Sequence, residues 1–470
     1  MQFGWLTLGL SPSADGDYAA IHEQVTQACF AETAGFDGLW LTEHNFTGES
    51  VYCDPIPFAS VVAARTSRIR IGFAVLQLAL RHPVRLAIEL ALLDNLSDGR
   101  VDVGVGHGTN YNEYEFVGYG LRSDDSRERM EETLDVMIRA WTESPLVHRG
   151  KFYQLSLPEL RPRPRQRPHP PIWRAVSSAS SVRECGRLGA PLLTARVPLA
   201  RVPERLALYE AGLAESGLDT AAQRRLREQA ALWRFAYVAE SQAQAEDELA
   251  AALLGTRRHM VHARAAHNPP DFHVPPARVN PWNDPLVSHE DGVRYSLQTG
   301  ALYGTAQRVA DQVAELRDTG MHHVLCQMST GGLPHAKVME STRRFGADVI
   351  PRFSQRRYLM GMTRLYTGPD GQSHLEDIDP AARPDLTTLH TTKGVVFRAT
   401  EPGHFHDWHN APRRQYVITL EGEVEIGLGD GTVRRFGAGH VTLAEDLTGK
   451  GHTTRVVGNK RRLTATIHLA

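Results

Sequence analysis

Short apolar runs rich in β-branched residues alternate with amphipathic helical segments from the start of the chain to about residue 350. This alternation is typical of βα units around a parallel sheet. Eight such runs predict a closed eight-stranded β/α barrel of the TIM type. The predicted strands are Phe3–Leu8, Gly38–Thr42, Ile69–Leu76, Val101–Gly106, Ile172–Val176, Pro191–Ala195, Phe235–Ala239 and His323–Met328.

Between these strands, apolar residues recur at intervals of three and four, which predicts helices. Asp98-Gly99 and Thr319-Gly320 supply stop signals before the next strand. The clearest predicted helices are Ile21–Ala34, Val84–Asn95, Ser126–Thr142 and Ala306–Thr319.

Two stretches interrupt the alternation. Arg161–Pro171 (RPRPRQRPHPP) is either a basic binding arm or an extended connector, and its frequent prolines favour the connector. Gly255–Gln298 contains prolines and five histidines and shows little helical periodicity. A long insertion without regular structure is typical of a functional lid, with plain disorder as the alternative.

After Arg352 the pattern changes to turn-rich sequence followed by short alternating strands such as VVFRA, QYVITLEGEVEIGL and RLTATIHL. Glycine turns between such strands are typical of a small antiparallel β-sandwich or barrel. We therefore expect two domains, a barrel over residues 1–358 and an all-β domain over residues 359–470.

The balance of charge narrows the function classes. Lys and Arg together number 52 against 54 Asp and Glu, so no overall field attracts nucleic acid or an anionic membrane. The N-terminus lacks a basic region before its apolar run, and no window reaches the length of a membrane span. The four cysteines lie far apart, which predicts reduced thiols. A cytoplasmic location follows from these features.

Catalytic groups of a β/α barrel lie just beyond the C-terminal ends of its strands. His44 follows the second predicted strand and is a candidate base or proton donor. His107 lies in a glycine-rich run after the fourth predicted strand. Such a run suits either a phosphate or a flat ligand that lies directly against the backbone of residues without side chains. The serines that begin at Ser177 open a helix and predict either a phosphate site or an ordinary N-cap.

Taken together, these runs resemble the bacterial luciferase-like monooxygenases over about residues 1–355. The resemblance depends on MQFGWLTL, AGFDGLWLTEHNF, RHPVRLAIELALLDNLSDGRVDVGVGHG, NEYEFVG, PPIWRAVSSAS and IPRF, which occur in the order and spacing of that family. It implies reduced FMN supplied by a separate NAD(P)H:flavin reductase, and insertion of one oxygen atom from O2 into a small organic substrate. A homodimer is also expected. The sequence lacks a nicotinamide fingerprint after a strand, in keeping with an external source of reduced flavin.

The resemblance also implies roles for individual residues. His44 matches a histidine beside the reactive edge of the flavin, and Ala74 and Val75 match a pair that is often joined by a cis peptide bond against the ring. The matches to phosphate-binding positions are Arg127, Ser177, Ser178 and Ser181.

Three positions depart from the family pattern. His107, a second catalytic candidate, stands where luciferases have an arginine. Gly106, a candidate cofactor contact, replaces a reactive cysteine, and Ser177 replaces a glutamate.

The stretch PGHFHDWH (residues 402–409), with FGAG at 436–439, resembles a cupin across residues 359–470. The resemblance implies a divalent metal held by His406, His409, Gln415 and His452. His404 with His406 is an alternative pair, and Asp407 or Glu445 is an alternative to the poorer ligand Gln415. A cupin that only binds or dimerises, without metal, is also compatible with the sequence.

A flavin-dependent monooxygenase is therefore the leading hypothesis. One alternative keeps the barrel but uses a deazaflavin for hydride transfer without oxygen. The other is a ligand-binding or regulatory protein with weakened catalysis, which the departures at His107 and Ser177 leave open.

Overall fold

The computed structural model describes residues 1–109, 111–274, 280–353, 362–378, 386, 388, 390–458 and 460–469. The chain divides into two compact units, Met1–Phe353 and Ser354–Ala470. The expected domain boundary at residue 358 lies outside the described residues.

Eight parallel strands close the barrel in the order β1-β2-β3-β5-β8-β9-β10-β12, and β12 pairs with β1. The predicted TIM-type barrel is therefore confirmed. The strands of this unit are β1 (Gln2–Thr7), β2 (Gly38–Leu41), β3 (Arg70–Phe73), β4 (Leu76–Gln77), β5 (Val101–Gly106), β6 (Leu146–Arg149), β7 (Gln154–Leu157), β8 (Ile172–Ala175), β9 (Leu192–Ala195), β10 (Ala231–Val238), β11 (Ala301–Gly304) and β12 (His323–Ser329).

The helices surround this barrel and bury one face against it, as their amphipathic pattern predicts. They are α1 (Asp17–Ala34), α2 (Pro55–Arg65), α3 (Pro83–Leu96), α4 (Glu113–Gly118), α5 (Ser126–Thr142), α6 (Ala179–Arg187), α7 (Val202–Ala214), α8 (Thr220–Gln229), α9 (Gln242–His267), α10 (His289–Gly300), α11 (Ala306–Asp318), α12 (His335–Arg344) and α13 (Ile350–Phe353).

Three features of the sheet differ from the predicted strands. The third predicted strand is interrupted between β3 and β4, where the Ala74–Val75 peptide bond is cis. Strand β11 adds to the barrel beside β10, and β6 and β7 form a separate antiparallel hairpin. The sequence did not predict these strands, because β6 and β7 have no run of three apolar residues and the apolar run of β11 is only three residues long. The Arg161–Pro171 segment contains neither helix nor strand, as expected of a connector.

The prediction that Gly255–Gln298 lacks regular structure is wrong at both ends, because residues 255–267 continue α9 and residues 289–298 lie in α10. Two polar residues, Thr256 and Arg257, lie within the buried stripe of α9, so a count of apolar residues misses its periodicity. Between the two helices, the structure describes residues 268–274 and 280–288 as non-helical. We call residues 280–288 the covering loop. The buried stripe of α9 comprises Ala245, Leu249, Ala252, Leu253, Thr256, Arg257, Met260 and Ala263.

Aromatic side chains fill the interior of the barrel. The rings of Trp40, Trp173 and His323 meet edge to face, with centroids 5.2–6.0 Å apart. Glycines make room for Trp40, since a Cβ atom at Gly4 or Gly72 would lie 2.5 or 2.4 Å from it. Burial lowers the pKa of His323 to about 4, so this histidine is a neutral core residue.

The second unit is all-β, as predicted. A six-stranded sheet has the order β14-β13-β20-β17-β22-β15, and a four-stranded sheet has the order β16-β21-β18-β19. The strands are β13 (Met362–Thr367), β14 (Ser373–Ile378), β15 (Thr392–Thr400), β16 (Phe405–His409), β17 (Gln415–Glu421), β18 (Glu423–Gly427), β19 (Val433–Phe436), β20 (Val441–Glu445), β21 (His452–Val457) and β22 (Arg462–Leu469).

Across the described parts of both units, no helix combines the length and the apolar character that crossing a membrane requires.

Candidate active site

His44 lies beyond the C-terminal end of β2, between two buried carboxylates. Its Nδ1 atom is 3.1 Å from Oε1 of Glu115, and its Nε2 atom is 3.6 Å from Oε1 of Glu49. Glu49 is 3% exposed and Glu115 is fully buried, so both carboxylates act in a medium of low polarity. Burial alone would lower the pKa of His44, but Glu49 and Glu115 outweigh it and raise the pKa to about 9. His44 is therefore an imidazolium cation at neutral pH.

A network of amides holds Glu115 in position. Its carboxylate accepts hydrogen bonds from Nε2 of Gln77 at 2.5 Å and from Nδ2 of Asn112 at 2.7 Å. Burial opposes the charged form of Glu115, yet His44 and these amides hold the pKa of the carboxyl below its usual value. Oδ1 of Asn112 accepts from Nε of Arg264 at 2.8 Å, which connects α9 to the same network.

The cis bond between Ala74 and Val75 lies close to this network, because β4 begins at the next residue. Gln77 in β4 donates its backbone N–H to Oε2 of Glu43 at 2.8 Å and its side-chain amide to the carbonyl of Glu43 at 2.8 Å. The bonds fix the end of β4 against the end of β2. Arg81 completes the support with an ion pair to Glu43 at 2.9 Å.

Four of the predicted cofactor and catalytic residues line one cavity of about 100 Å³: His107, Arg127, Ser177 and Ser181. The Arg127 side chain has no hydrogen bond or ion pair to a residue that the structure describes, so its donors are available to a ligand. Hydroxyls, an arginine and the start of α6 suit a phosphate group. This donor set fits the phosphate of FMN.

Two further candidates have visible structural roles. Ser178 is the N-cap of α6, and its hydroxyl accepts a hydrogen bond from the backbone N–H of Ser181 at 3.2 Å. Gly106 lies against Val75, and a Cβ atom at Gly106 would be 2.7 Å from Cγ2 of Val75. These contacts do not test whether either residue also touches a cofactor.

A second cavity, of about 210 Å³, lies beside His44 and is called the central cavity here. Strands β10 and β12 and the segments that follow β1, β2, β5 and β9 supply part of its wall, and α9 and the covering loop supply the rest. Its apolar surface comes from Leu8, Phe235, Met260 and Trp282. A cavity that combines this apolar surface with a few polar and charged side chains suits a small organic substrate.

Arg257 anchors the covering loop. This side chain is 1% exposed and donates hydrogen bonds to the carbonyls of Trp282, Pro281, Asp284 and Val287 at 2.8–3.2 Å. Because backbone carbonyls buried without a donor are costly, Arg257 determines where this loop rests.

In the C-terminal unit, the structure brings three of the four predicted metal ligands together. The rings of His406 and His409 stack with centroids 3.8 Å apart, and those of His409 and His452 are 4.3 Å apart. Gln415 lies in the six-stranded sheet, whereas the histidines lie in the four-stranded sheet.

This arrangement gives no support to the predicted metal site. Nδ1 of His452 lies 2.6 Å from the buried carboxylate of Asp446, so one of its two ring nitrogens already has a partner. Within the described part of the chain, no group of three or more His, Cys, Asp or Glu side chains is arranged to hold a metal ion.

Sequence reasoning located His44 but missed the residues that set its charge. Glu49, Glu115 and Arg264 are polar residues with no local pattern that signals burial. Glu115 belongs to the matched motif NEYEFVG, and an acidic residue flanked by Tyr114 and Phe116 in a short helix is the one signal that pointed to it.

Comparison with known proteins identifies the family of the chain. A family model for luciferase-like monooxygenases matches residues 1–323. The uncharacterized protein y4vJ of Sinorhizobium fredii is 33% identical over 171 residues, so the match spans 36% of this chain and about half (48%) of that protein. The oxygenase component of flavin-dependent trigonelline monooxygenase from Acinetobacter baylyi is 24% identical over 340 residues, which are 72% of this chain and 91% of that protein.

Among solved structures, the monooxygenase RslO1 from Streptomyces bottropensis superimposes with a TM-score of 0.63 and 26% identity, covering 75% of this chain and 100% of RslO1. The chain therefore belongs to the luciferase-like monooxygenase family and is an enzyme of the flavin-dependent monooxygenase class.

Proposed function

We propose that the protein inserts one oxygen atom from O2 into a small organic substrate, using reduced FMN from a separate NAD(P)H:flavin reductase. The observation that carries the proposal is the cationic His44 beside the central cavity, held between two buried carboxylates. Reduced flavin, when bound, supplies the two electrons that activate O2.

The residues of the chain divide the task of holding the cofactor. Arg127, Ser177 and Ser181, with His107, would bind the phosphate at the small cavity beside α6. Ala74 and Val75, which both retain some exposure, would contact the ring.

His44 would control the proton and the charge at the reacting centre. As a cation it carries a proton on both ring nitrogens. Nδ1 donates to Oε1 of Glu115, and this bond keeps Nε2 on the side of Glu49, 3.6 Å from its carboxylate. A fixed positive charge in a site of low polarity stabilises negative charge that develops on oxygen.

Water must be kept from the site, because access of water releases the activated oxygen as hydrogen peroxide. Helix α9 and the covering loop would exclude it, since both line the central cavity. In place of the expected lid without regular structure, a helix and a short loop anchored by Arg257 would cover the site.

A separate reductase is proposed for two reasons. The chain lacks a nicotinamide fingerprint, and the relative from Acinetobacter is named as the oxygenase component of a monooxygenase. A homodimer remains an expectation of the same kind.

The first test is anaerobic titration of the protein with reduced FMN, followed by mixing with O2. We expect saturable binding of reduced FMN and oxygen consumption that depends on the protein. Oxygen-independent turnover with a deazaflavin alone, or no binding of any reduced flavin, would contradict the proposal.

The His44→Ala variant tests the role of the cation. We expect FMN affinity within about twofold of wild type, and peroxide release faster by at least about tenfold, since positioned acid–base groups contribute roughly 10²–10⁴ to rates. Peroxide is measured with a coupled peroxidase assay. His22→Ala, which removes an exposed histidine of α1, is the control, and equal peroxide rates in all three proteins would exclude His44 from the mechanism.

A further inference from the structure

Two arginine side chains face the central cavity. Arg196 follows the end of β9 and Arg264 lies on α9, and both line the cavity with His44. Buried or half-buried guanidinium groups normally have carboxylate partners. Within the described residues, neither arginine has a carboxylate partner within ion-pair distance.

The two arginines differ in how they are held. Arg264 donates to Oδ1 of Asn112 at 2.8 Å and to Oδ1 of Asn283 at 3.1 Å, so neutral amides fix it. The guanidinium of Arg196 makes no hydrogen bond to a residue that the structure describes, and its carbon lies 4.8 Å from the centroid of the Trp233 ring. Burial lowers the pKa of Arg196 to about 10, which still leaves it charged at neutral pH.

The backbone and the neighbouring helix make room for Arg196. Its φ of 49° lies in the left-handed region, which side chains other than Asn, Asp and Gly rarely adopt. Helix α10 ends in Gly300 beside it, where a Cβ atom would lie 3.1 Å from Cγ of Arg196. Such an outlier at the mouth of a barrel points to a functional role for the side chain.

Two buried polar atoms at the same cavity also lack partners in the described structure. They are Oε1 of Gln327, a residue only 2% exposed, and Nε1 of Trp233. Buried polar atoms are normally hydrogen-bonded, so a ligand with both acceptor and donor groups would satisfy them.

The charges around the cavity leave an excess. His44, Arg196 and Arg264 are three cations, whereas Glu49 and Glu115 are two anions that both face His44. One positive charge therefore remains for a ligand to neutralise.

We propose that the central cavity binds a small organic carboxylate, whose carboxylate group pairs with Arg196 and whose apolar part contacts Leu8, Phe235 and Met260. This inference rests on the proposed function, since it names the substrate class of the same site. A planar guanidinium matches the two oxygens of a carboxylate. Trp233 Nε1 would donate to the same group, and Gln327 would accept from a donor on the ring or chain.

The volume limits the size of the ligand. An apolar cavity of roughly 150 Å³ holds benzene, and the central cavity is about 210 Å³. A single ring or a short chain with one carboxylate therefore fits.

The experiment measures binding of benzoate, nicotinate and hexanoate to the full-length protein by calorimetry, each beside its uncharged amide. At least one acid should bind the wild type at least about tenfold more tightly than its amide. Arg196→Asn should weaken that acid at least about tenfold and leave the amide unchanged. Asparagine suits the left-handed backbone, so this variant should fold.

Two further variants complete the test. Arg196→Lys should retain part of the affinity for the acid, because lysine keeps the positive charge but lacks the paired N–H donors of the guanidinium. Arg294→Asn removes an exposed arginine of α10 that pairs with Asp291, and it should bind as wild type does. Acids that bind no better than their amides, or equal affinity of Arg196→Asn and wild type for the acid, would overturn the proposal.

The same proteins are titrated with FMN. If Arg196→Asn loses FMN affinity while acid binding is unchanged, Arg196 serves the cofactor and the carboxylate site is wrong. If the wild type binds acid through Arg196 but binds no reduced flavin, the proposed function fails and the carboxylate site stands.

Discussion

The proton on His44 links the chemistry of the site to the stability of the barrel. Glu49 and Glu115 stabilise the imidazolium only in the folded protein, where the pKa is raised to about 9 from an ordinary value of 6.5. Below about pH 6.5 both the folded and the unfolded chain hold this proton, and the stabilisation is complete. As pH rises toward 9, the unfolded chain loses the proton first and the stabilisation declines.

We therefore predict that wild type loses stability relative to His44→Gln as pH rises from 6.5 to 9. The shift of the pKa corresponds to a difference of roughly 3 kcal/mol in the free energy of unfolding over this range. Urea unfolding of both proteins at several pH values measures it. His22→Gln should run parallel to wild type, and a pH-independent difference between His44→Gln and wild type would show that His44 is neutral in the fold.

The position of His44 was predictable because a residue at the end of a barrel strand lies at the mouth of the barrel. Its charge was not, since Glu49 and Glu115 come from a loop and a short helix whose burial depends on tertiary packing. The same limit applies to Arg196. Its positive φ and its lack of a carboxylate partner among the described residues are properties of the folded chain that a sequence pattern does not reveal.

Helix α9 shows how one buried charge organises an element. Arg257 is a polar residue within the buried stripe of this helix, and it donates hydrogen bonds to four carbonyls of the covering loop. Arginine usually lies on the protein surface, so Arg257 hides the periodicity of this part of α9. For this reason the sequence predicts no regular structure for residues 255–267. Six strands of the barrel, β1, β2, β5, β8, β9 and β12, followed simple periodicity and were predicted within one residue of their observed ends. Strand β10, which precedes α9, begins four residues before its predicted start.

Replacing Arg257 should loosen the covering loop while leaving the barrel folded. Arg257→Ala leaves the carbonyls of Pro281, Trp282 and Val287 without their donor, whereas that of Asp284 keeps the backbone N–H of Val287. We expect a loss of about 2–4 kcal/mol in local stability. Amide hydrogen exchange over residues 280–288 should accelerate, and peroxide release with reduced FMN should rise.

Arg258→Ala is the matched control, because Arg258 is the next residue of α9 but is 59% exposed and only distantly paired with Glu290. Slow exchange in Arg257→Ala, or equal acceleration in both variants, would show that Arg257 does not anchor the loop.

At the scale of the whole molecule, every residue of the candidate site lies within Met1–Phe353, one of the two compact units. The matched family model also lies within that unit. The order of elements along the chain was enough to predict two domains, since a switch from βα units to short alternating strands changes the kind of core that each part can form. The sequence does not determine the role of the second unit, and the stacked rings of His406, His409 and His452 give no support to its predicted metal site.

We predict that residues 1–358 alone fold and bind reduced FMN within about twofold of the full-length affinity. A domain with its own core and all of its site residues does not need its neighbour for either property. Circular dichroism and flavin titration of the truncated protein check this. A fragment that folds but fails to bind flavin would show that the second unit contributes to the site.

The aromatic packing inside the barrel has a consequence for how new specificities arise in this scaffold. Trp40 fits because Gly4 and Gly72 carry no side chain, and any larger residue at either position would overlap it. The floor of the barrel therefore tolerates little change in sequence, whereas the cavity-lining residues at the mouth that do not hold His44 or the cofactor can change with the substrate. In a library that randomises both regions, the folded members should retain Gly4 and Gly72. Variants with a changed substrate specificity should carry their substitutions at the mouth of the barrel.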